Sequence, residues 1–232
     1  MEVNSQVAES FTILDMNHLG SETFKALCKH SSSLKHLTLL SLEKTALVCL
    51  NKLQHCLSLE SLELEVDSSA CRYPWETARR DVFLGVARWL QGCTELKNLG
   101  FIVIPSGTTL LAEVFKSAPN RLLSLRIKTS ETTKEFCDSL PQQRCLRHLV
   151  VEFTEKGLPG MDNGRPPMLA NAIAGCHGLR MLGTNELFNF DEFKTVFDSL
   201  PLMEAIVLGG DPIDDIFLEP LKQLSHLKAL SI

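Results

Sequence analysis

An apolar residue followed three and five places later by two more recurs down the whole chain. The triplets are Phe11/Leu14/Met16, Leu34/Leu37/Leu39, Leu59/Leu62/Leu64, Leu96/Leu99/Phe101, Leu122/Leu125/Ile127, Leu146/Leu149/Val151, Leu179/Leu182/Thr184, Met203/Ile206/Leu208 and Leu227/Leu230/Ile232. Successive starts lie 23 to 26 residues apart, with two longer steps of 37 and 33. A period of this length makes each unit one supersecondary element, too small to bury its own apolar face. Such units must stack on their neighbours to form a core. The second and third residues of each triplet are two apart, so they share one face of a short strand.

A second periodicity runs in step with the first. Counting back ten, seven, six and three places from each triplet gives the inward stripe of an amphipathic helix. It comprises Phe24/Leu27/Cys28/Ser31, Cys49/Lys52/Leu53/Cys56, Val86/Trp89/Leu90/Cys93, Phe136/Ser139/Leu140/Gln143, Leu169/Ala172/Ile173/Cys176, Phe193/Val196/Phe197/Leu200 and Phe217/Pro220/Leu221/Leu224. The helix before Leu122 fits one residue earlier, as Leu111/Val114/Phe115/Ala118. Pro119, Pro141 and Pro201 stand where these helices must stop, and Gly209-Gly210-Asp211-Pro212 has the composition of a turn, an Asp cap and a first helical Pro.

Hydrophobic residues make up 44% of the chain and the net charge is −5. No apolar run approaches the ~18 residues of a membrane span, so no membrane partner is expected. The start, Met-Glu-Val-Asn-Ser, has neither the basic nor the apolar region of a secretory signal, and the expected compartment is the cytosol or nucleus. The acidic balance argues against a nucleic-acid surface, which needs clustered Lys and Arg.

The chain carries eight cysteines, and two readings of them compete. Cys28, Cys49, Cys56, Cys93 and Cys176 sit on the helix stripe, where a reduced Cys packs as a small hydrophobe. No Cys-x-x-Cys pair occurs, and His55 and His177 neighbour cysteines of different repeats, so no metal site is expected. Cys71, Cys137 and Cys145 lie off the stripe and are expected at the surface. Asp211, Asp214 and Asp215 could suggest a cation site, but Asp211 is explained by its capping place. There is no Gly-x-Ser-x-Gly elbow, phosphate-cradling glycine loop or His-Glu-x-x-His, so neither catalysis nor a cofactor is expected.

The period and the apolar pattern resemble leucine-rich repeats of the ribonuclease-inhibitor-like superfamily. Cys56, Cys93 and Cys176, each three places before a repeat's first Leu, resemble the cysteine-containing repeats of F-box substrate receptors. The family's usual Asn or Cys eight places after the first Leu is replaced here, as by Leu42, Asp67, Ser130 and Thr154. The resemblance implies an α/β solenoid, a curved horseshoe with a parallel β-sheet on the concave side and helices on the convex side. It extends over residues 1–232 as one domain of nine degenerate repeats.

It also implies a module that binds a protein partner, either as the substrate-recognition part of an F-box-type ubiquitin ligase receptor or as a stand-alone regulatory or scaffolding repeat protein of ribonuclease-inhibitor type. A ligase adaptor would be a partner only through an F-box outside this chain, since ten residues precede Phe11. The last strand, Leu227 to Ile232, has no helix after it, and the expectation is a fragment open at its C-terminus.

Within each strand the third, fifth and seventh places turn away from the core. There the third repeat is acidic, with Glu63 and Glu65, and the fifth is basic, with Arg126 and Lys128. His148 and Glu152 follow in the sixth. Ile102, Val150, Met181 and Val207 add apolar surface among these charges, the composition a partner groove requires. The insertion after the third strand holds Tyr73 and Trp75 beside Pro74, an aromatic pair with no repeat-assigned core slot and a candidate anchor.

Overall fold

The computed structural model describes residues 9–13, 32–66, 80–104, 106–117, 121–154, 168–185, 188–209 and 215–232. Outside them lie Tyr73, Trp75, Cys71, the stripe from Phe24 to Ser31, and Asp211 and Asp214. The chain forms two compact units, Met1–Ser106 and Gly107–Ile232.

In the first unit, strands β1 (Ser10–Ile13), β2 (His36–Leu42), β3 (Ser61–Val66) and β4 (Asn98–Ile102) pair in parallel and in chain order. Phe11, Leu37, Leu62 and Leu99 form one column across the strands, and Leu39, Leu64 and Phe101 form the next. The register is fixed at the leading edge, where each strand begins, by a carbonyl that accepts two N–H groups from the following repeat. Glu9 O accepts from Lys35 N (2.8 Å) and His36 N (3.0 Å), Lys35 O from Glu60 N and Ser61 N, and Glu60 O from Lys97 N and Asn98 N.

This clamp corrects the first repeat. Phe11 stands opposite Leu37 rather than Leu34, so it fills the second apolar place and not the first. The sequence satisfies the spacing in two registers, Phe11/Leu14/Met16 and Ala8/Phe11/Ile13, and the Glu9 carbonyl selects the one that begins earlier.

The helix α1 (Lys44–Cys49) passes into a 3₁₀ segment, Leu50–His55, and the stripe changes with it. With three residues per turn, side chains three apart eclipse, so Leu47, Leu50, Leu53 and Cys56 form a buried row, joined by Ala46 from the α-helical turn. Cys49 and Lys52, expected inward, are half-buried. In α2 (Arg80–Gly92) the expected stripe Val86, Trp89, Leu90 and Cys93 is fully buried. Trp89 Nε1 donates to Cys56 O at 3.1 Å, which gives the indole its polar partner in the preceding repeat.

The second unit contains β5 (Ser124–Thr129), β6 (His148–Phe153), β7 (Met181–Thr184), β8 (Ala205–Leu208) and β9 (Ala229–Ser231), again parallel and in order. Its column is Leu125, Leu149, Leu182, Ile206 and Leu230. The same double-acceptor clamp recurs at Leu123 O, Arg147 O, Arg180 O and Glu204 O.

Helix α3 (Gly107–Ser117) precedes β5, helices α4 (Lys134–Ser139), α5 (Met168–Ala174) and α6 (Phe190–Asp198) lie between successive strands from β5 to β8, and a 3₁₀ segment, Asp215–Gln223, around Pro220 leads into β9. Their starts follow local chemistry. Thr133 Oγ1 accepts from Phe136 N, and Asn189 and Glu192 form a reciprocal capping box. Phe193 lies 4.6 Å from Phe197 and 5.6 Å, edge-on, from Phe217, and so ties α6 to the last 3₁₀ segment.

Of the stripe thiols, Cys56, Cys93 and Cys176 are core groups. Cys93 Sγ donates to Trp89 O and Cys56 O, and Cys176 Sγ to Ala172 O. Burial pushes the Cys176 thiol up to about 12. Cys137, expected at the surface, is also buried, and desolvation raises its thiol too. In a stack each helix has two neighbours, and α4 packs against both α3 and α5, so its flank is covered as well as its inward stripe. Cys145 is half-buried. No helix among the described residues is long and apolar enough to cross a membrane.

Candidate functional site

The outward strand places are set by the registers just described. In the first unit, Glu63 on β3 lies between Thr38 of β2 and Gly100 of β4, and Glu65 lies beside Ile102. A Cβ at Gly100 would come within 3.0 Å of Glu63 Cγ, so the Glu63 stem lies across a backbone that has no side chain to hold it off. Both glutamates are half-buried, and Ile102, expected outward and exposed, is buried.

In the second unit the outward face forms a grid. Ser124, His148, Met181 and Ala205 make one row, and Arg126, Val150, Gly183 and Val207 the next. Lys128 stands opposite Glu152 at the seventh place. The structure thus brings Arg126, Lys128, His148 and Glu152 together on β5 and β6, while Glu63 and Glu65 belong to the first unit. Arg126 Nη2 approaches Glu152 Oε2 at 3.9 Å. The basic pair therefore meets an acidic side chain on its own face. As an exposed ion pair this contact contributes at most about 1 kcal/mol.

Beyond the charges the face is apolar. A Cβ at Gly183 would lie 3.2 Å from Val150 Cγ2, so the valine leans over the glycine. Met181 and Ala205 are half-buried, and Val207 is 42% exposed. At the far end of the strands Asn185 bridges the neighbouring backbone: its Nδ2 donates to Phe153 O (2.9 Å) and its Oδ1 accepts from Phe153 N (2.7 Å). Among the described residues there is no cluster of three or more His, Cys, Asp or Glu suited to a metal.

One set of residues was not singled out by sequence reasoning. At the second place of several repeats, beside the clamp carbonyls, Lys35 pairs with Glu9 (3.3 Å), Lys97 with Glu60 (3.6 Å), and both Arg180 and Lys228 with Glu204 (2.7 Å each). Hydrogen bonds from Lys228 and then Arg180 hold the Glu204 carboxyl below the usual carboxylate range. The signal was present as charge at a fixed repeat place, one position before the outward residues.

No family model and no curated protein sequence matches the chain. Solved structures do. TLR13 in its complex with ssRNA13 superposes with a TM-score of 0.50 at 14% identity, over 96% of this chain and 30% of that one. A Bacteroides fragilis protein gives 0.50 at 12% identity, over 95% of this chain and 75% of its own. Human 5T4, the trophoblast glycoprotein, gives 0.42 at 14% over 86% and 70%. The chain thus spans less than a third of the TLR13 chain. Likeness at such identity is one of architecture, and with the repeat spacing and parallel strands it gives this chain the α/β leucine-rich-repeat fold.

Proposed function

We propose that this chain is a binding module rather than an enzyme, and that it holds a protein partner on the outward face of its strands, the concave face of the expected horseshoe. The observation that carries this reading is the mosaic on β5 to β8. There Val150, Met181 and Val207 surround Gly183, with Arg126, Lys128 and Glu152 beside them. Apolar contact area next to charges that set register is the usual make-up of a protein interface. The buried thiols, such as Cys176, fit a reducing compartment, the cytosol or nucleus.

The finer assignment to a ubiquitin-ligase substrate receptor rests on Cys56, Cys93 and Cys176. The same slot also holds Gln143, Leu200 and Leu224, all buried, so it selects for fit to the core rather than for cysteine. It therefore favours neither a ligase receptor nor a stand-alone regulator.

Val207→Arg tests the face. It leaves the core columns untouched and should change stability by no more than about 0.5 kcal/mol. Proteins captured by the unaltered chain should be depleted from the variant's eluate, and more so when Lys128→Glu is added. Equal recovery by both would move the binding site elsewhere, with the segment of Tyr73 and Trp75 next in line.

A further inference from the structure

Charge in the second unit is sorted by strand end. The segments running into β5 to β9 carry Arg121, Arg144, Arg147, Arg180 and Lys228 against one carboxylate, Glu204. Among the described residues that follow those strands, up to the first turn of the next helical segment, Glu131, Glu135, Asp191, Glu192 and Asp215 outnumber Lys134. Because the strands are parallel, every leading end lies on one side. A pattern in sequence therefore becomes a separation in space, with a basic edge on a chain whose net charge is −5.

Arg147, Arg180, Glu204 and Lys228 occupy equivalent places, each adjoining the next through the double-acceptor clamp. Neighbouring strands are about 4.8 Å apart, and same-side residues of an extended chain recur every ~6.6–6.8 Å. Cations at one- and two-strand steps are thus within reach of successive carboxylates on one polypeptide. Glu204 spans Arg180 and Lys228 and holds them in the row.

We propose that the leading edge of residues 107–232 is a docking strip for an acidic polypeptide segment. A polypeptide fits better than a single-stranded nucleic acid. The described leading segments contain no Phe, Tyr or Trp on which bases could stack. The strip is a different surface from the strand face proposed above, and each stands without the other.

The test is fluorescence anisotropy with the full chain, using a labelled oligo-glutamate peptide and, separately, oligouridylate of equal length. Oligo-glutamate should bind at low ionic strength and be released as salt rises. Arg144→Glu with Lys228→Glu, both at exposed residues, should weaken it about tenfold or more. Lys134→Glu with Lys194→Glu, the same charge change on helices away from the strip, should alter it less than about twofold. If the first pair disturbed the far-ultraviolet spectrum, Lys228→Glu alone should still weaken binding about threefold. Absence of oligo-glutamate binding, an equal loss in both double variants, or tighter capture of oligouridylate would each overturn the proposal.

Discussion

Replacing Gln143 by Leu is expected to stabilise the protein. Gln143 is 1% exposed, at the slot that other repeats fill with Cys56, Cys93, Cys176, Leu200 and Leu224. Neither its Nε2 nor its Oε1 has a hydrogen-bond partner among the described residues. Burying a carboxamide unpaired costs about 1 to 3 kcal/mol by mutational measure. Leucine is close in volume but branched, and its fit offsets up to about 1 kcal/mol of the gain. The net expectation is about 1 to 2 kcal/mol, or about 3 to 6 °C in the thermal midpoint for a chain of this size. Circular-dichroism melts and urea titration measure it, with Gln143→Glu as the opposing control. A buried, unpaired charge there should destabilise by about 3 kcal/mol or more. A lower midpoint for Gln143→Leu, or tolerance of the glutamate, would show that the carboxamide is satisfied and refute the reasoning.

Leu125→Ala removes the first member of the second unit's column, at a side chain with no exposed surface, and should cost about 2 to 5 kcal/mol by cavity formation. An unchanged melting temperature would mean that the register is wrong. Cys56, Cys93 and Cys176 should resist a maleimide probe in the native state and react fully in denaturant, as mass spectrometry of the labelled peptides would show. Because burial raises the Cys176 thiol to about 12, the stability gained by keeping it neutral is complete below the unfolded thiol's pKa of about 8.5. It is lost as pH rises from there toward 12. Urea midpoints across that alkaline range should fall for the native chain and fall less for Cys176→Ala.

Leucine spacing alone identified the columns through Leu37, Leu62 and Leu99 and through Leu125, Leu149 and Leu182, because burial demands the same place in every repeat. It failed at Phe11, where Phe11/Leu14/Met16 and Ala8/Phe11/Ile13 both satisfy the spacing and only a backbone hydrogen bond chooses. The stripe failed at Cys49 for a related reason. A switch from α to 3₁₀ hydrogen bonding changes the angular step without altering composition. On the candidate face, the outward places of Arg126, Lys128, His148 and Glu152 were legible from alternation. The pairing of Arg126 with Glu152 was not, since it is diagonal and depends on side-chain reach across the register. Cys137 was missed because a helix period reports one inward face, whereas stacking covers the flanks too.

The carbonyl that accepts two N–H groups at each leading edge also decides where this chain tolerates growth. Both long steps in the repeat fall past the last ladder residues of a strand, between Val66 and Arg80 and between Phe153 and Met168. Extra length there carries only loop-closure entropy, about 0.6 kcal/mol for each doubling. One residue added before a strand would slip it past its clamp and turn its core leucines to solvent. The two ends of each strand are thus unequal as sites for grafting. New sequence belongs after the strand, and the turn that leads into it has a length the backbone does not negotiate.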